Sequence, residues 1–135
     1  MNRPRPEDYI FYRGDKFRVE FYFTQTGALP AKEYFDSSER QAQVKLLALV
    51  KYIAENGRLF DESKFRLVDG KDKIYEFKPK DERFLNFFSE GKIIIITNAY
   101  RKKGQKVDPR ELTKAINLKK DYEFRVMGGV YYETQ

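Results

Sequence analysis

The chain contains neither histidine nor cysteine. Without cysteine it has no disulfide framework and no thiolate metal site. Without histidine it lacks the commonest general base and the commonest metal ligand. Hydrolytic chemistry would then fall to lysine, arginine, tyrosine or the carboxylates. The carboxylates are scattered along the chain, so no metal and no cofactor is expected. No apolar run approaches the length of a bilayer span, and the opening Met1-Asn2-Arg3-Pro4-Arg5-Pro6 lacks a signal-peptide core. A cytoplasmic protein with no membrane contact is the expectation. Internal repeats, linkers and a second domain are missing as well.

What is present is enough for one folded core. The 135 residues are 41% hydrophobic and 16% aromatic, which excludes a disordered chain. The net charge of +6 is unevenly placed. Between Arg101 and Lys120 eight cations face only Asp108 and Glu111, so this window accounts for the whole excess. A localised basic zone is the electrostatic footprint of a polyanion binder. A solvated cationic helix face is the plainer alternative.

Residues 1–16 are expected to form an N-terminal arm, polar, proline-broken and loose over its first fourteen positions. Phe17–Phe23 alternates with period two and predicts a half-buried first strand. A short helical piece is expected over Ala31–Phe35. A stronger helix follows, with Ser38 and Gln41 as a capping box, Leu46, Val50 and Ile53 on its core stripe and Gly57 beyond its end. Phe65–Val68 is a short strand or the approach to one. Ile74–Lys78, Arg83–Phe88 and Ile93–Tyr100 then predict a three-stranded meander. Its first loop is Pro79-Lys80-Asp81-Glu82, suited to a type I turn, and its second is Glu90-Gly91. The continuous run Ile93–Ile96 fits a central strand buried on both faces. After a basic loop, Asp108-Pro109-Arg110-Glu111 is a helix start, with Asp at the cap, Pro at the first position and Glu two residues on. Residues 123–135 are a tail, either a strand pair or packed on the domain. The fold class is α+β, a small antiparallel or mixed sheet against two N-terminal helices and one C-terminal helix.

Turn lengths fix which residues face each other across antiparallel strands. A two-residue turn at Glu90-Gly91 pairs Phe88 with Ile93 and places Arg83 opposite Asn98. The four-residue loop places Lys78 opposite Arg83. Lys78, Arg83 and Asn98 then form one row, with Tyr100 diagonal to Arg83 on the same face. Lys80 is nearby in the loop, and Lys102 and Lys103 follow Tyr100. The alternative is that Arg83 and Lys78 pair with Glu76, Asp81 or Glu82 in ordinary surface bridges.

These residues carry a resemblance over about residues 17–122. The pieces are Leu67 and Gly70, then Ile74-Tyr75-Glu76-Phe77-Lys78, Arg83 and Ile93–Ile96, and finally Tyr100-Arg101-Lys102-Lys103-Gly104-Gln105-Lys106 with Asp108-Pro109. In this order they resemble the RelE/ParE toxin superfamily, and within it the HigB-like branch related to phage Gp49. Lys78 stands where arginine is common, Asn86 where an aromatic is frequent, and Asn98 where many relatives have histidine. The resemblance implies a RelE-like domain and the toxin of a toxin–antitoxin pair. It implies cleavage of mRNA on the ribosome by the substrate's own 2′-hydroxyl, without metal, and restraint by an antitoxin, expected to be a helix-turn-helix protein. On that footing Lys78 or Lys80 is the base and Arg83 holds the phosphate oxygens. Tyr100, Lys102 or Lys103 stacks on a base or assists the leaving group. Asn98, Arg101, Gln105, Lys106 and Arg110 are the expected RNA contacts. A gyrase inhibitor of the ParE kind and an inactive RNA- or partner-binding member are the alternatives.

Overall fold

The computed structural model describes residues 3–133. The first two residues of the expected arm and the last two of the expected tail lie outside the described residues. Along the described chain the elements are α1 (Pro6–Tyr9), β1 (Ile10–Arg13), β2 (Arg18–Phe21), α2 (Pro30–Ser37), α3 (Arg40–Asn56), β3 (Phe65–Asp69), β4 (Ile74–Phe77), β5 (Glu82–Ser89), β6 (Ile93–Arg101) and α4 (Pro109–Met127). The strands form one six-stranded sheet in the order β1-β2-β6-β5-β4-β3. β2 runs parallel to β6, and every other neighbouring pair is antiparallel. The fold is α+β, with a wider sheet than the sequence pattern predicts. No helix among the described residues is long and apolar enough to cross a membrane.

β6 lies inside the sheet with helices on both faces, which is why its isoleucine run is apolar at every position. Ile94 and Ile96 join Val19, Phe21 and Phe84 beneath α2 and α3, where Leu46, Val50 and Ile53 are fully buried. Burying side chains of this size stabilises the fold by roughly 1.5–3 kcal/mol each. Ile93 and Ile95 join Ile74, Leu85 and Phe87 beneath α4, against Ala115 and Tyr122.

The ends of the chain are more ordered than their composition suggests. Residues 6–13 are not a loose arm: they make α1 and the edge strand β1. Phe11 packs against Phe21 and Phe35, and the Tyr12 hydroxyl donates to Glu55 at 2.6 Å. The prolines are no obstacle, because Pro6 occupies the first position of α1, where no N–H is needed. Gly14 admits the end of α3: a Cβ there would sit 2.6 Å from the Ala54 backbone. At the other end α4 continues through Phe124 to Met127, so these residues are helix and not strand. Tyr131 and Tyr132 pack beyond it. The Tyr132 hydroxyl donates to the fully buried Glu20 at 2.7 Å, which ties the tail to β2.

Three local expectations fail. Glu39, not Ser38, is the residue before α3, and no side chain caps that end. Ser38 donates to the Tyr34 carbonyl and Gln41 accepts from Lys80, so the two capping-box partners are engaged elsewhere. Lys80 takes φ +55°, which a type I turn does not allow at that position. The second hairpin loop has three residues, Glu90-Gly91-Lys92, with Gly91 at φ +80° and Lys92 at φ +61°. Ser89 therefore pairs with Ile93, and the whole ladder moves by one.

Candidate functional site

The antiparallel ladder between β5 and β6 slips once more, between Leu85 and Asn86. Thr97 is the extra residue, and its hydroxyl oxygen lies 3.2 Å from the Leu85 carbonyl. The bulge changes the facing of everything after it. Asn98 and Tyr100 now point to the α4 side, Tyr100 opposite Arg83 and Asn98 opposite Leu85. β4 meets β5 in the register expected from the loop, with Phe77 opposite Phe84, which carries Lys78 to Arg83. The Lys78 N–H donates to the Lys64 carbonyl at 2.8 Å and prolongs the ladder to the sheet margin. The row across three strands is thus Lys78, Arg83 and Tyr100, with Asn98 one row further in.

Each member of the row is held. The Lys78 ammonium donates to the Glu62 carbonyl at 3.1 Å. Burial lowers its pKa, and the positive charges of Arg66 and Arg83 lower it further against the opposing pull of Glu76. Arg83 is 8% exposed, and its Nη1 donates to the carbonyls of Lys80 and Glu82, both at 2.8 Å. These two bonds fix the guanidinium plane, while Nε and Nη2 have no hydrogen-bond partner among the described residues. The Tyr100 hydroxyl accepts from the Asp108 N–H at 3.2 Å, and burial raises its pKa. The surface-bridge alternative does not form. Glu76 pairs with Arg66, while Asp81 and Glu82 pair with Arg101.

α4 starts over this row because its cap is local. Asp108 accepts from the N–H groups of Arg110 and Glu111, and Pro109 follows it. Asn98 ties the helix down: its amide donates to the Glu111 carbonyl at 3.1 Å and carboxylate at 3.0 Å, and its oxygen accepts from Thr97 at 2.7 Å. This buried side chain is a strap between sheet and helix, and its polar atoms are engaged within the protein.

The remaining expected site residues divide by face. Lys80 lies on the α3 side, donating to Glu39 and Gln41. Arg101 also faces away, donating to Glu82 at 2.8 Å. The Lys102 ammonium lies 3.8 Å from Asp81, yet its charge still helps to lower the pKa of Lys78. Lys103, Gln105 and Lys106 are exposed in the loop before α4, and Arg110 is exposed on its first turn.

Two residues of the site were not legible from the sequence pattern. Arg66 on β3 lies opposite Glu76 on β4, and its Nε donates to the Glu76 carboxylate at 2.6 Å. Glu76 is fully buried, and its other oxygen has no hydrogen-bond partner among the described residues. The available signal is periodicity: Glu76 shares a face with buried Ile74, and a carboxylate there needs a cationic neighbour. Together the cluster offers a lysine of lowered pKa, the Nε–Nη2 edge of a fixed guanidinium and a phenol. Such a set suits an anionic group that gains charge during reaction. No three Asp or Glu side chains among the described residues come together to hold a metal ion.

Over residues 33–120 the chain matches the family described as phage derived protein Gp49-like (DUF891). This span runs from α2 into α4 and contains every residue of the row. No curated protein matches the chain.

Proposed function

The chain belongs to the Gp49-like family of phage-derived, RelE/HigB-like toxins, and from that premise we propose that it is the toxin of a toxin–antitoxin pair acting as a metal-independent, ribosome-dependent mRNA endonuclease. The observation that carries this reading is the lysine of lowered pKa beside a buried arginine whose Nε–Nη2 edge is unpartnered among the described residues. In the proposed reaction Lys78, as the neutral amine, takes the proton of a ribose 2′-hydroxyl. The freed oxygen attacks the adjacent phosphorus, the bond to the 5′-oxygen breaks, and a 2′,3′-cyclic phosphate is left on one fragment. Lys102 or Tyr100 supplies the proton that the departing 5′-oxygen needs. Arg83 holds the non-bridging oxygens through Nε and Nη2 as their charge grows. Lys103, Gln105, Lys106 and Arg110 hold neighbouring phosphates. The partner proposed for the cationic face is the cognate antitoxin, a helix-turn-helix protein.

One observation favours a second reading, binding without turnover. Asn98 stands where many relatives have histidine, and its side chain is engaged by Thr97 and Glu111. The test is inducible expression of wild type and Arg83→Ala in a bacterial host, with primer extension on a chosen mRNA. New 5′ ends within translated codons, reduced about 100- to 1000-fold in the variant, are expected. Arrest without cleavage would transfer the reading to a gyrase-type target. Absence of both would leave binding alone.

A further inference from the structure

The basic loop has a fixed path. It leaves β6 at Arg101, and the Lys102 N–H donates to the Asp81 carbonyl at 2.9 Å. It returns at Asp108, whose N–H donates to the Tyr100 hydroxyl at 3.2 Å. Both ends are therefore tied on the β5–β6 side. Between them the Gln105 carbonyl accepts from Arg66 Nη2 at 2.9 Å. Arg66 stands on β3, the far edge of the sheet, three strand spacings from β6, or roughly 14 Å. The loop is thus drawn from β6 toward β3, on the face that carries Lys78, Arg83 and Tyr100.

Arg66 is itself seated. Its Nε donates to Glu76 at 2.6 Å, and that carboxylate is fully buried with its second oxygen unpartnered among the described residues. A buried carboxylate left half satisfied is unfavourable, so Arg66 is strongly held to it. The guanidinium fork lets one side chain bind a carboxylate by one edge and a carbonyl by another. A lysine ammonium, a compact point charge, does not reproduce that geometry.

We infer that Arg66 is a positioning residue, anchored on Glu76, that holds the basic loop as an arch over the phosphate site. What the arch does for RNA rests on the function proposed above, whereas the anchoring of the loop does not.

Two measurements on the full chain separate the two ideas. The first is the ¹⁵N order parameters of Gly104 and Gln105. In wild type they are expected near the rigid-backbone range of about 0.85, and in Arg66→Gln below about 0.6. Arg66→Lys is expected to loosen the loop too, and it provides the measurement if Arg66→Gln does not fold. The second is anisotropy of a short fluorescein-labelled single-stranded RNA. Arg66→Gln is expected to weaken binding about tenfold and to remove most of the effect of Lys106→Ala, because a loop without its anchor no longer places Lys106. A loop already mobile in wild type, or unchanged in both Arg66 variants, overturns the arch. So does additivity of Arg66→Gln with Lys106→Ala, which would make Arg66 an independent phosphate ligand. A loop that loosens in a protein that binds no RNA upholds the anchor and removes the RNA reading. An unchanged loop, with binding lost in Arg83→Ala, does the reverse.

Discussion

Arg125→Ala tests how the C-terminal half is held, and its magnitude follows from the contacts of one side chain. Arg125 is 3% exposed near the end of α4. Its Nη1 and Nη2 both donate to the Phe23 carbonyl, at 2.8 and 2.7 Å. Its guanidinium carbon lies 4.6 Å from the centre of the Tyr131 ring, and Asp121 accepts an ion pair at 3.5 Å. Removing the side chain leaves a buried carbonyl without either donor, at about 1–3 kcal/mol. It also removes a desolvated cation–π contact of about 0.5–2 kcal/mol. The two contributions together come to about 1.5–5 kcal/mol. A domain of this size is stable by about 5–15 kcal/mol in all, so the loss is a large fraction. It corresponds to a fall in Tm of roughly 5–20 °C. Calorimetry and urea unfolding read it directly, with an unchanged slope in urea if the unfolded state is unaffected. Arg125→Lys is expected to recover less than half, since one ammonium neither doubles the bond to Phe23 nor lies flat on Tyr131. A fall in Tm below about 3 °C for the alanine variant would refute the reasoning, because it would mean that solvent already screens these contacts.

The two lysines that the resemblance offers as bases separate cleanly by face. Lys78→Ala is expected to lower RNA cleavage at least about 100-fold, while Lys80→Ala, bonded to Glu39 and Gln41 on the far side, stays within about threefold of wild type. Equal losses in a cleavage assay would remove the assignment. The pH profile carries a sign. Lys78 acts as the neutral amine, so the rate rises with pH through its lowered pKa. The negative charge of Glu76 holds that pKa up and the positive charge of Arg66 pushes it down. Glu76→Gln is therefore expected to move the rising limb to lower pH, and Arg66→Gln to higher pH. Shifts of the opposite sign in a kcat–pH series would exclude Lys78 as the base.

Sequence and structure agree where the causes are local. The cap at Asp108-Pro109 forms as its residues predict, because both partners of the cap lie within three positions. Gly57 ends α3 at φ +87° for the same kind of reason. Lys78 and Arg83 face each other because one short loop sets their register. Agreement stops where one residue more or less decides the outcome. Lys92 adopts a positive φ that its side chain does not announce, and this moves the second hairpin by a step. The Thr97 bulge moves it by another and exchanges Asn98 for Tyr100 opposite Arg83.

The amino-acid order alone determined α3, the three meander strands with the buried central one, the basic loop and the helix start behind it. Each follows from periodicity or from a side chain reaching its own nearby backbone. Tertiary structure decided which cations share a surface. Lys80 turns to the α3 side because Glu39 and Gln41 wait there, and Arg101 because Glu82 does. Arg66 joins the site only because β3 pairs with β4 and brings it to Glu76. Long charged side chains take their place from partners far along the chain, and a linear pattern carries no record of those partners.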